Sequence, residues 1–385
     1  MKPLPFWKFR REVARLGIQL LAAFGRLSTR MFATRYYDLT QAGKIRRFGG
    51  RLPEGDRVAI YLVFPDRGLL ASHLMALDYL ASKGYSAKVV SNLPMSDADR
   101  EALLAHCWTY LERPNYGYDF GGYRDGILDL SAKLGTMERL VIVNDSCWFP
   151  LPGSRDWLED VEALNVEFAG AASNYGTPRV DPEDFQSIRW TYKRQHRNFH
   201  YCSFALCLRE TVLRNPGFLK YWRSLPLTNA KKVTVRRGEI GFTQWALRKG
   251  FTNACTLDVA RLDQDLAALG EARLLEIAHE LIIPEAPRLR DLKQRLLAGN
   301  PTRAELVALI LTAVSMQGSS YCLAGYSARE LGFPFLKKSP VWLSRDGSNI
   351  TLALAARLDG PGGRVIETEA WGLRARRAPG FDNSA

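Results

Sequence analysis

The sequence predicts an α/β fold: a doubly wound sheet followed by a mainly helical C-terminal region. Three features lead to this. Val58 to Phe64 is an unbroken apolar run, as a strand buried on both faces requires. Strand-like runs and helix-like periodicity then alternate as far as about residue 261. From about residue 262 the apolar spacing is that of helices.

The elements follow in order. Leu70 to Lys83 has helical periodicity and stops at Gly84. Ala87 to Ser91 reads as the second strand, and Ser96 caps a helix from Asp97 to about Cys107. Trp108 to Leu111 is a third strand, Asp119 to Leu134 a glycine-rich turn entering a helix, and Leu140 to Val143 a fourth strand. Residues 154–163 form a helix and Phe168 to Ala172 a strand, and the polar stretch from Gly176 to Asn198 is a long loop. His200 to Leu208 reads as a strand, and Glu210 to Ser224 and Glu239 to Lys249 as helices. The expected parts are a basic N-terminal helix over 1–35, the sheet domain over 36–261, helices over 262–358, and a disordered tail over 359–385.

Charge narrows the partners. The chain of 385 residues carries a net +13, which favours phosphates, nucleic acid or anionic lipid. No RNP motif, helix-turn-helix pattern or finger spacing supports nucleic acid. The six cysteines form no CxxC pair and read as reduced thiols. In residues 1–35, Leu16, Leu20, Ala23, Phe24 and Leu27 share a helix face flanked by Arg10, Arg11, Arg15, Arg26 and Arg30. That helix either packs on the domain or lies on an anionic membrane surface. Arg15, Gln19 and Arg26 interrupt its apolar run, which argues against a signal peptide and a spanning helix alike. The expected location is the cytoplasm, peripheral at the inner face of the membrane.

Two segments point to chemistry. Asn115-Tyr-Gly-Tyr-Asp-Phe-Gly-Gly-Tyr-Arg-Asp125 sets Gly117, Gly121 and Gly122 with Asp119 and Asp125 at a helix start. Glycines let backbone approach a ligand, and a helix N-terminus offers N–H groups to phosphate. A tight turn with a close helix contact is the plainer reading. Next, the strand ending at Val143 delivers Asn144, Asp145 and Ser146 to the same sheet edge. A carboxylate there could hold Mg2+ or Mn2+ against a diphosphate, or serve as a helix cap. Further on, His200 could bind acceptor or metal, or be structural. Glu239, read as a helix start, is a general base or a cap. Trp190, Tyr192, Lys193, Arg194 and His196 suit stacking on a sugar, or form a solvated basic loop.

The order of these segments resembles GT-A-type glycosyltransferases, in which a glycine-containing helix start and an acidic strand end flank a nucleotide sugar. More closely, the chain resembles the rhamnan synthesis protein F family. The resemblance rests on Tyr118-Asp119 with Arg124-Asp125, Val143-Asn-Asp-Ser146 with Pro150-Leu151, and His200-Tyr-Cys-Ser-Phe-Ala-Leu-Cys-Leu-Arg-Glu210. It extends through Asn215-Pro-Gly-Phe-Leu-Lys-Tyr-Trp222, Glu239-Ile-Gly-Phe-Thr243 and Gly332-Phe-Pro-Phe-Leu-Lys337. It implies a GT-A-like, inverting hexosyltransferase of bacterial surface-polysaccharide synthesis, of rhamnan, O-antigen or capsule type. The implied donor is a nucleoside diphosphate sugar such as dTDP-rhamnose, and the implied acceptor a growing, lipid-linked glycan. Asp145 would then hold the cation or diphosphate, and Glu239 would be the base. Asn115, Gly117, Asp119, Gly121, Gly122, Asp125, Asn144 and His200 would line the donor and acceptor sites. With only Asp145 acidic in its triplet, a non-catalytic glycan-binding or scaffolding subunit is the rival reading.

Overall fold

The structure, a computed structural model, describes residues 34–381. The expected membrane or packing helix over 1–35 falls almost wholly outside the described residues. Nine strands form the main sheet: β1 (Arg46–Gly49), β2 (Arg57–Val63), β3 (Ser86–Ser91), β4 (Thr109–Glu112), β5 (Arg139–Asn144), β7 (Phe168–Asn174), β8 (His200–Tyr201), β9 (Ala205–Arg209) and β10 (Asn253–Leu257). Between β5 and β7, β6 (Cys147–Trp148) pairs antiparallel with the late strand β11 (Leu336–Lys337).

The order across the sheet is β1-β4-β3-β2-β5-β9-β7-β10, with β8 added to β7. β2 is parallel to both β3 and β5, so the winding reverses between β3 and β5. Ligand sites of such sheets open at the strand carboxyl ends beside this reversal. β9 then enters antiparallel between β5 and β7. The expected α/β architecture is therefore present, as a mixed rather than purely parallel sheet.

Side chains of β2 alternate between two cores. Val58, Ile60 and Leu62 face the helix Tyr118–Asp129, while Ala59, Tyr61 and Val63 face the helix Ala71–Ser82. Local signals place the ends of these helices. Ser96 Oγ accepts from the Asp99 N–H at 3.1 Å, and Gly84 takes the left-handed conformation after Ser82.

Four expectations need correction. The run from His200 to Leu208 is two strands, because the chain steps off β7 at Cys202-Ser203 before rejoining the sheet as β9. Pro216 splits the expected helix 210–224, since Asn215 caps a new helix by accepting the Gly217 N–H at 2.8 Å. Glu239 does not start a helix: the helix begins at Lys231, and Glu239 lies in a π-turn spanning Arg236–Ile240. The tail is not disordered over its described length, because Gly360–Arg377 is a helix. Its glycines hide a buried stripe of Ile366, Ala370 and Leu373 at i, i+4 and i+7.

The C-terminal region holds its own core, with Leu266, Leu274, Ile277, Leu289 and Leu309 from successive helices. Its last helix docks back on the sheet domain. Glu369 accepts from the Ser72 N–H at 3.0 Å, the Ser72 hydroxyl at 2.7 Å and Trp148 Nε1 at 3.0 Å. Ser72 and Trp148 are buried, so loss of the acceptor leaves three donors without water. Glu369→Ala should therefore destabilise the protein by about 3 kcal/mol in urea unfolding, with Glu369→Gln intermediate. An unchanged unfolding midpoint would mean that the helix does not hold the sheet domain.

Candidate functional site

One cleft, of about 260 Å³ at the carboxyl end of β5, collects four of the ten expected site residues. Asp119, Asn144, His200 and Glu239 all line it, with Ser146, Asn174, Ser203 and Lys337. They arrive from different elements. Asn144 ends β5, His200 opens β8, Ser203 sits at the step before β9, and Lys337 comes from β11.

The glycine-rich turn is built by a buried ion pair. Arg113, which follows β4, meets Asp125 at 2.6 Å with both side chains almost fully buried. The same guanidinium donates to Asn92 Oδ1 at 2.6 Å, and to the Tyr116 carbonyl at 2.8 Å. Asp125 thus fixes the turn from below and does not face the cleft lining. Gly117 is left-handed and its N–H donates to Asn229 Oδ1 at 2.8 Å. Gly121 and Gly122 are close-packing positions: a Cβ would lie 2.1 Å from the Tyr116 carbonyl oxygen or 2.3 Å from Leu62 Cδ1. Asn115 is exposed on the loop and is not among the lining residues. Of this motif, Asp119 alone lines the cleft.

Asn144 Nδ2 donates to Asp119 Oδ2 at 3.1 Å, and Asn144 Oδ1 accepts from the Ser146 hydroxyl at 2.6 Å. Burial, reinforced by the Asp145 and Glu239 charges and partly offset by Lys337 and Lys231, pushes the Asp119 carboxyl up to about 6.

Asp145 takes the other side. Strand alternation turns Asn144 with Leu140 and Ile142, and Asp145 with Val141 and Val143, towards opposite cores. Asp145 Oδ2 accepts from the Phe64 N–H at 2.7 Å and lies 3.5 Å from His73 Nε2. Burial alone would raise this carboxyl; His73, Lys338 and the Phe64 N–H outweigh it and hold the group below the usual carboxylate range.

Glu239 owes its place to the π-turn. Gly238 lies against the Phe120 ring, where a Cβ would come within 2.2 Å of the ring carbon. This brings the next residue up to the cleft. Glu239 Oε1 accepts from the Ser203 N–H at 2.8 Å and its hydroxyl at 2.9 Å. Glu239 Oε2 lies 3.6 Å from His200 Nε2, while His200 Nδ1 donates to the Asn198 carbonyl at 2.8 Å. Two groups able to take a proton therefore meet in the cleft, one of them clamped. The break between β8 and β9 lets Ser203 and His200 approach the same carboxylate.

The long loop is anchored rather than free. Trp190 Nε1 donates to the Val259 carbonyl at 2.9 Å, Tyr192 hydrogen bonds Ser173 at 2.8 Å, and Arg194 donates to the Asn253 carbonyl at 2.6 Å. His196 is exposed and stacks on Tyr175 at 5.9 Å, next to His200. Lys337 is the residue that the sequence did not single out, although it closes the Gly332–Lys337 motif.

The raised Asp119 carboxyl has a stability consequence. An unfolded aspartate ionises near 3.9, so the folded protein holds this proton more tightly. The stability this gives is full below about pH 4 and is lost as pH rises through about 6. Asp119→Asn should remove that loss, gaining about 2 kcal/mol on the parent protein at pH 7.5 and little at pH 4. Parallel denaturant titrations at the two pH values check it, and equal gains at both would contradict the raised carboxyl.

Several known proteins resemble this chain. The uncharacterized protein y4gN of Sinorhizobium fredii is 32% identical over 246 residues, 63% of this chain and 59% of that protein. The chain thus spans less than two-thirds of that relative's length. A mannosyltransferase of Pyrobaculum calidifontis, solved with GDP-Man and Mn2+, aligns over 95% of this chain and 92% of its own at 14% identity and a TM-score of 0.31. Core-mannan synthase A of Aspergillus fumigatus, in its Mn/GDP form, aligns over 48% of this chain and 68% of its own at 10% identity and a TM-score of 0.28. Residues 88–316, more than half of the chain, match the family described as Rhamnan synthesis protein F, and the chain belongs to that family.

Proposed function

We propose that this protein is a glycosyltransferase that moves a sugar from a nucleoside diphosphate sugar to a hydroxyl of a glycan acceptor. The observation that carries the reading is the convergence of Asp119, Asn144, His200, Glu239 and Lys337 on one cleft at the sheet's carboxyl edge. The family supports a place in bacterial surface-polysaccharide synthesis, with rhamnose as the first donor sugar to try. A lipid-linked acceptor at the inner face of the membrane fits the arginine-flanked segment 1–35. Among the described residues, no helix is long and apolar enough to cross a membrane.

Each group has a role in this reading. Glu239 Oε2 takes the proton of the acceptor hydroxyl, its carboxylate held by Ser203. The freed oxygen attacks the anomeric carbon. The bond from that carbon to the diphosphate oxygen breaks, the electron pair leaves with the diphosphate, and the configuration inverts. Asp119 and Asn144 suit hydroxyls of the sugar or ribose, since one accepts and the other both donates and accepts. His200 and the neighbouring Tyr175 suit the acceptor side.

A divalent cation, implied by the resemblance to GT-A enzymes, meets no pair of converging carboxylates here. Asp119 and Asp145 diverge to opposite faces of the sheet, and each has an oxygen engaged within the protein. No step above passes through a cation.

Glu239→Gln should lower kcat by about two to four decades while leaving donor affinity nearly unchanged, because a base acts on the acceptor proton in the transition state. Steady-state turnover on a panel of dTDP-, UDP- and GDP-sugars, with donor binding measured by calorimetry, tests it. Weaker donor binding with an unchanged rate would remove Glu239 as base. Glycan binding without turnover of any sugar nucleotide would favour the non-catalytic subunit.

A further inference from the structure

We infer that Lys337 is the fixed positive charge that receives the donor's diphosphate. The inference rests on the glycosyltransferase reading and adds to it the group that binds the leaving diphosphate.

Lys337 is delivered to the cleft by strand pairing. β11 pairs with β6 so that Lys337 lies opposite Cys147, and the Lys338 N–H donates to the Ser146 carbonyl at 3.0 Å. A segment nearly two hundred residues later in the chain is thus laid against the strand end of the cleft. Consecutive side chains of a strand point to opposite faces. Lys338 is buried on one face, 3.5 Å from the Ser72 hydroxyl and 5.7 Å from the Trp148 ring. Lys337 turns into the cleft instead.

The surroundings of Lys337 leave its charge available. Its ammonium lies 3.3 Å from the Ser146 hydroxyl and 3.9 Å from the centroid of the Phe204 ring. Both partners are neutral, and no carboxylate lies within ion-pair distance of it among the salt bridges of the described residues. Lys338 is held on the far face, where its charge favours ionised Asp145. A half-buried ammonium on a paired two-residue strand, in a cleft also lined by Asp119, Asn144 and His200, matches a diphosphate better than it matches a neutral sugar. Asp119 and Asp145 diverge across the sheet, and Lys337 stands on the cleft side of it. A lysine so placed offsets the negative charge that grows on the leaving diphosphate.

The test uses the full chain, with UDP, GDP and dTDP and the matching nucleoside monophosphates as probes, titrated calorimetrically in EDTA and again with Mn2+. The parent protein should bind one nucleoside diphosphate in EDTA. Lys337→Gln should weaken that binding by about 10- to 100-fold and monophosphate binding far less, and Lys337→Arg should retain most of it. Lys337→Met, which keeps an apolar stem over Phe204, should reproduce the loss if Lys337→Gln fails to fold. Binding equal in Lys337→Met and the parent would overturn the role of Lys337 and leave the donor site standing. Binding that appears only with Mn2+ would do the same. No binding of any nucleoside diphosphate by the parent, with or without Mn2+, would overturn the glycosyltransferase reading itself.

Discussion

The ion pair between Arg113 and Asp125 is the constraint on which the cleft rests. Taking two charges out of water costs several kcal/mol, and the cost is offset only where geometry and further hydrogen bonds are good. Here they are. Arg113 reaches Asp125, Asn92 and the Tyr116 carbonyl from one guanidinium, so the ends of β3 and β4 and the helix Tyr118–Asp129 share a single polar knot. Tyr37 joins it through its hydroxyl, which hydrogen bonds both Asp125 and Arg113. A fork of this kind constrains direction as well as distance. The turn from Asn115 to Gly117 is thereby fixed, and the helix start that carries Asp119 is fixed with it.

A second constraint is the two-residue period of the strand. At the end of β5 it sends Asn144 to one face and Asp145 to the other, and at β11 it does the same with Lys337 and Lys338. The edge of the sheet therefore carries two acid–lysine environments, one lining the cleft and one buried under the helix Ala71–Ser82. Their electrostatics differ accordingly. Asp145, near His73 and Lys338, is held ionised, while Asp119, buried and near two other acids, keeps its proton up to about pH 6. One carboxylate serves the frame and the other lines the cleft.

Much of this was legible in the sequence. The apolar run of β2, the Ser96 cap and the Gly84 stop are local signals, and local signals survive folding. Asn144 and His200 sit at strand ends and Asp119 follows a loop on the same edge, whereas Glu239 joins them only through the resemblance to GT-A enzymes. What was not legible depended on contacts between distant segments. Gly121 and Gly122 looked like ligand-binding glycines, but they make room for Tyr116 and Leu62. Glu239 looked like a helix start, because a π-turn leaves no periodicity of its own to read. The step at Cys202-Ser203 leaves no mark in the sequence, since β8 and β9 both pair with β7 and no glycine or proline stands between them. The glycines of the last helix imitated a disordered tail, although Glu369 and the stripe of Ile366, Ala370 and Leu373 dock it.

The C-terminal region is what turns a sheet edge into a cleft. Residues from the sheet domain supply the acids and the histidine, but Gln317, Gly318, Ser320, Tyr321 and Lys337 close the opposite wall. That wall is held from two directions. β11 pairs with β6 directly after Ser146, and the last helix fastens to Ser72 and Trp148 through Glu369. Phe335 adds an apolar anchor beside β11, stacked on Phe149 at 4.3 Å and edge-on to Trp157 at 5.3 Å. Such contacts link residues far apart in the chain, so their loop-closure entropy is offset only when the whole region is docked. Lys337 can then be rigid without being buried, because the residues on either side of it carry the packing: Leu336 lies in the apolar core, and Lys338 sits under the helix Ala71–Ser82. A site charge held in this way keeps its direction while remaining open to a ligand, which a lysine on a free loop could not do.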